Sequence, residues 1–132
     1  MGLAYLWKQN AVRILGNYVL IEEAPSRPNL KIGFGIQSIT TGNPGMFATS
    51  EKNFAVPEGK LNVYVGIAAR SSEDHVHGVG GIKFEPQGSW AFGLQIDGHD
   101  VHPYITHRIG NVIVGYYLAS FESSGYFVGV RF

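Results

Sequence analysis

Between residues 61 and 70 large and small side chains alternate without a break. Leu61, Val63, Val65 and Ile67 make one set, and Asn62, Tyr64, Gly66, Ala68 and Arg70 the other. A period of two belongs to an extended strand, whose successive side chains leave opposite faces. The same alternation sets Trp90, Phe92, Leu94 and Ile96 against Ser89, Ala91, Gly93, Gln95 and Asp97. It sets Ile32, Phe34 and Ile36 against Lys31, Gly33, Gly35 and Gln37, and Tyr126, Val128, Val130 and Phe132 against Phe127, Gly129 and Arg131. Glycine in a helix interior costs about 1 kcal/mol relative to alanine, so its recurrence on one face argues for strands.

Turn-forming residues fall between these runs. They include Ala24-Pro25-Ser26-Arg27-Pro28-Asn29, Thr41-Gly42-Asn43-Pro44-Gly45, Pro57-Glu58-Gly59, Pro86-Gln87-Gly88, Asp97-Gly98-His99-Asp100 and Gly110-Asn111. Each is rich in residues that tolerate turn geometry. The pattern predicts nine strands, over 11–22, 30–39, 46–54, 60–69, 76–86, 89–97, 101–109, 111–121 and 125–132, with 3–9 as a possible tenth. Consecutive strands joined by short links form an up-and-down meander, and closing it removes the exposed edges. The expected fold is all-β: one antiparallel barrel of about 8–10 strands spanning residues 1–132.

The two faces decide which side is inside. One set is uniformly bulky and apolar. The other mixes glycine and alanine with Lys31, Gln37, Asn62, Arg70, Gln95, Asp97, Arg108 and Arg131. Only 15% of the chain is charged, against about 25% in ordinary soluble domains, and it holds 18 glycines. A soluble barrel would point its apolar set inward. Here the small-and-charged set suits a narrow lumen, which leaves the apolar set facing outward. Strands of about 9–11 residues also suit a tilted crossing of a bilayer. Trp90, Phe84 and Phe54 are expected near the same rim as Phe132, with Tyr126 and Phe47 near the other, as two aromatic girdles. Lys31, Arg70, Arg108 and Arg131 with Glu51, Glu85 and Asp97 are expected to pair inside as a plug, because an unpaired buried charge costs several kcal/mol.

The ending Gly125-Tyr126-Phe127-Val128-Gly129-Val130-Arg131-Phe132 resembles the assembly signal of bacterial outer-membrane β-barrel proteins, alternating hydrophobics closed by phenylalanine. Lys31-Ile32-Gly33-Phe34-Gly35-Ile36-Gln37 and Val79-Gly80-Gly81-Ile82-Lys83-Phe84 look like strands of larger barrels associated with exopolysaccharide export. The resemblance implies a place in the bacterial outer membrane. It also implies a lipid bilayer as partner, the barrel-assembly machinery engaged through the last strand, and an even strand number. A homo-oligomer or larger envelope complex is a further possible partner. The beginning of the chain lacks the features of a signal peptide, so an exported protein is expected here in its mature form or with an added start. Gly2 does not read as a myristoylation site, because Leu6 stands where Ser or Thr is needed.

Little chemistry is written in the sequence. All five histidines fall in 75–107, and His75-Val76-His77 puts two imidazoles on one side of a strand. With His99 and His102 they are expected at the rim opposite Phe132, where Asp74 and Asp100 are also near; zinc, copper or nickel would suit such a set. The competing reading is polar loop histidines without a ligand. A cupin is excluded, since Gly81 and Ile82 stand where its glutamate belongs. There is no Gly-x-Ser-x-Gly, and Asp97, Asp100, His99, His102 and Ser124 have no spacing that demands a triad. The strand-borne glycine pairs do not open a helix, so they make no phosphate loop. Without cysteine there is neither disulfide nor thiolate site, and zero formal charge points away from nucleic acid. No cofactor and no enzymatic activity are expected.

Three functions remain open. The first is an integral outer-membrane barrel acting as anchor, structural element or narrow conduit. The second is a soluble ligand-binding barrel of the lipocalin or avidin kind, with the apolar set lining a pocket. The third is a self-assembling cell-envelope protein that buries its apolar faces between copies.

Overall fold

The computed structural model describes residues 2–6, 10–38, 43–121 and 123–130. Its elements are β1 (Gly2–Leu6), β2 (Ala11–Ile21), β3 (Asn29–Ser38), β4 (Asn43–Val56), β5 (Gly59–Arg70), β6 (Val76–Pro86), β7 (Trp90–Ile96), β8 (Val101–Ile109), β9 (Val112–Ala119) and β10 (Ser123–Val130). Every strand pairs antiparallel with its sequence neighbours, and β1 also pairs with β10, which closes the barrel. Of the range 3–9, the described part forms most of β1, wedged between β2 and β10 with Leu3 opposite both Ile14 and Val128. The strand number is therefore ten, an even count.

The apolar set faces outward. Val65 is 63% exposed, Phe92 47% and Val128 45%. Among the described residues the buried hydrophobic side chains are only Ala68, Ala91 and Tyr117, whereas Thr49, Asn62, Arg70, His77, Asp97 and His102 are buried and polar. Val65, Phe92 and Val128 thus do not line the barrel interior, as the lipocalin-like arrangement would require.

Register explains the glycines. Gly33 stands opposite Phe47, Gly81 opposite Tyr64, Gly93 opposite Tyr104, Gly115 opposite Phe127 and Gly125 opposite Tyr117. In each pair a β-carbon on the glycine would collide with the partner's ring. The rings thus lie along the lumen wall over glycines that have no side chain to block them, a cross-strand arrangement that also shields exposed glycine backbone. Gly93→Val forces Tyr104 off this wall. The expected cost is about 1–3 kcal/mol by overpacking, read from denaturant midpoints, and Tyr104→Ala in the same chain is expected to restore part of it.

Phe47 corrects one expectation. Its ring lies over Gly33 and lines the interior, so it takes no part in an outer girdle. The other aromatics differ: Trp90, Phe54 and Tyr126 are exposed, and Trp90 stacks on His107 with ring centroids 4.3 Å apart. Phe84 is half-buried on the outward side of β6, and Phe132 lies outside the described residues. The alternation is blurred in β2, β4 and β6 for local reasons. In β2 the register shifts between Val19 and Ile21. On β4 Lys52 bends to the carbonyls of Ala24, Pro25 and Arg27 in the β2–β3 turn. β6 presents Gly78 and Gly80 on its outward face.

The meander gives the barrel two unlike ends. At one lie the end of β10 and the turns β2–β3, β4–β5, β6–β7 and β8–β9. At the other lie the connections β5–β6, β7–β8 and β9–β10, and with them four of the five histidines.

Candidate functional site

Charged side chains inside the barrel gather in separate groups rather than one plug. At mid-barrel the Lys31 ammonium donates to both Glu51 carboxylate oxygens at 2.7 and 2.8 Å. They border a cavity of about 300 Å³ also lined by Asn17, Tyr64 and Gln95. Toward the β6–β7 end Lys83 lies 2.7 Å from Glu85, and Lys60 reaches the same carboxylate at 3.9 Å. Arg108 lines this mouth beside Glu85 and Phe127, around a cavity of about 320 Å³. It is thus remote from Arg70, with which it was expected to share a network. Arg131 lies outside the described residues.

The densest group closes the histidine end. The Arg70 guanidinium, almost wholly buried, lies 3.0 Å from Asp97 Oδ2 and 3.1 Å from Glu73 Oε1. It also donates to the Asp97 carbonyl at 2.8 Å. Asp97 accepts from the backbone N–H groups of His99 and Asp100 at 3.1 and 3.0 Å, an Asx-type turn that shapes the β7–β8 loop. Burial pushes the Asp97 carboxyl up. Its contact with His102 and those two N–H groups outweigh this and hold it well below the usual carboxylate range. Glu73 behaves alike: desolvation raises it, while hydrogen bonds from Arg70 and His77 bring it below its ordinary value.

Local sequence makes this packing possible. Gly98, at φ +96°, lies so close to His77 that a β-carbon would approach the histidine Cβ at 2.9 Å. Only glycine is comfortable with both that dihedral and that contact. The loop therefore lies against β6, and His99 comes over His77 with ring centroids 4.7 Å apart, while His75 and His77 are 4.4 Å apart.

The histidines thus divide. His75, His77 and His99 converge with Glu73, and one ligand atom from each lies within 4.8 Å of all the others. His102 does not join them. Its Nδ1 accepts the Ser120 N–H at 3.2 Å, so Nε2 carries the proton and faces Asp97 Oδ2 at 3.1 Å. Asp74 touches the outer His75 at 3.5 Å, and Asp100 contributes a backbone N–H rather than a carboxylate. The acid that sequence reasoning missed is Glu73. It lies in the β5–β6 turn, where no strand period applies, and its N–H donates to the Arg70 carbonyl, so no sequence pattern marked it.

Comparison with protein-family models, curated proteins and solved structures finds no match to this chain.

Proposed function

We propose that this chain is an integral β-barrel of a bacterial outer membrane, with a structural or anchoring role and a lumen filled by its own side chains. One observation carries the reading: a closed barrel whose outward positions are mostly large and apolar, around an interior of ion pairs, amides and tyrosines. In water this arrangement forfeits about 1.5–3 kcal/mol for each large side chain left unburied. Soluble monomers rarely expose contiguous apolar patches beyond roughly 300–600 Å². In a bilayer the same surface is matched to its solvent, and closure leaves no unpaired backbone edge. Val76 and Phe84 bound the outward face of β6 eight residues apart, about 26 Å along the strand. At the 35–45° tilt of membrane barrels that reaches roughly 20 Å along the normal, close to the ~25 Å apolar band.

Rings over paired glycines and the Lys31–Glu51 and Arg70–Asp97 pairs occupy the interior, which favours an anchor over a wide pore. The test is extraction and refolding. The full chain is expected to stay with the membrane pellet at alkaline pH, fold only with detergent or lipid, migrate differently on gels before and after boiling, and pass no porin-sized current in a planar bilayer. A monodisperse, folded protein in plain buffer would overturn the membrane reading. A large soluble oligomer would replace it with self-assembly between copies, and porin-sized current would replace the filled lumen with an open conduit.

A further inference from the structure

We propose that Glu73, His75, His77 and His99 form a binding site for one divalent transition-metal ion, zinc or copper in kind, which ties the β5–β6 turn to the β7–β8 loop. Three imidazole nitrogens and one carboxylate already converge within 4.8 Å of one another. Ligands about 2.0–2.1 Å from a tetrahedral ion stand roughly 3.4 Å apart, so small side-chain rotations complete the site. The nitrogen-rich donor set excludes calcium and magnesium, which take oxygen ligands.

The surroundings are organised as metal ligands require. His77 is buried, and its Nε2 hydrogen-bonds Glu73 Oε2, so two of the four ligand atoms are already in contact. The His75 Nδ1 faces the Asp74 carboxylate at 3.5 Å, while Nε2 faces Glu73 at 3.9 Å. Arg70 grips the other Glu73 oxygen, and through Asp97 it also holds the loop that carries His99. One buried guanidinium thus positions ligands on both loops. The ion adds a cross-link between segments 73–77 and 99, which are otherwise joined through Arg70, Asp97 and Gly98.

The experiment is calorimetric titration of the detergent-folded full chain, free of any histidine tag, with Zn²⁺ and separately with Cu²⁺. Thermal midpoints and the visible spectrum of the Co²⁺ form are read alongside. One ion per chain is expected, with a raised midpoint and the intense visible band of four-coordinate cobalt. His99→Ala and His75→Ala, both exposed, should each weaken binding at least about tenfold and lose the midpoint shift. His107→Ala, which removes the histidine packed on Trp90, should change nothing. If His77→Ala does not fold, the two exposed variants still decide. Binding unchanged in His99→Ala, or no heat and no midpoint shift in the parent chain, overturns the site.

Discussion

Placing arginine at Val65 is expected to cost the barrel about 2–4 kcal/mol in a bilayer, the depth-dependent penalty for arginine near the membrane midplane. Val65 is 63% exposed, midway along β5 and opposite Ser50 and Gly80. By the ordinary rule for an exposed position the same change would stay within about ±0.5 kcal/mol, because water would solvate the new guanidinium. The solvent around the barrel thus sets the size of the effect. Ile109→Arg supplies the depth control. That side chain is equally exposed but ends β8 at the rim, where the penalty falls to about 0–1 kcal/mol. Denaturant unfolding in lipid vesicles measures both, and near-equal small costs at the two positions would contradict the membrane reading.

Arg70→Leu is expected to cost about 3–5 kcal/mol, the penalty for breaking a buried ion pair from one side. The guanidinium is the shared partner of Asp97 and Glu73 and also donates to the Asp97 carbonyl. Without it a buried carboxylate keeps only His102 and two backbone N–H groups. Arg70→Lys retains the charge but not the planar fork that reaches both acids, so part of the loss should remain. Adding Asp97→Asn to Arg70→Leu removes the stranded charge, and the double variant should be more stable than the sum of the single losses implies. A cost for Arg70→Leu below about 1 kcal/mol would mean that water already solvates this end of the lumen.

The barrel was legible because its strongest strands carry the pattern with little interruption. In β5, β7 and β10 nearly every outward residue is bulky and, Phe127 apart, every inward one is small or polar, so the inversion of the faces is legible without the pairing. Where the pattern blurred, the cause was tertiary: a register shift in β2, a lysine on β4 folded back to the turn carbonyls, and glycines on the outward face of β6. The rule relating glycine to aromatic was out of reach, because Gly93 and Tyr104 become partners only once the register of β7 against β8 is fixed.

The histidine end was half legible. The spacing of His75 and His77, and the return of the meander, brought His99 to the same rim. His102 lies on β8, where alternation turns it inward to Asp97 and Ser120, and loop proximity alone could not separate it from the others. The lumen ions show the same limit. Charge on one face predicted pairing, but whether Arg70 meets Asp97 or Glu85 depends on height along the barrel. Two residues on one face can thus belong to opposite mouths, as Arg70 and Arg108 do.

The apolar outward face as a lipid-contacting surface is tested most directly by spin labels. The chain contains no cysteine, so single substitutions at Asn62, Val63, Val65, Ile67 and Ala68 each give one labelled site. In vesicles, labels at 63, 65 and 67 should collide with oxygen and be shielded from a water-soluble chromium complex, while those at the buried positions 62 and 68 should show little of either. Full access of the chromium complex to 63, 65 and 67, with those labels no richer in oxygen contacts than 62 and 68, would contradict the account.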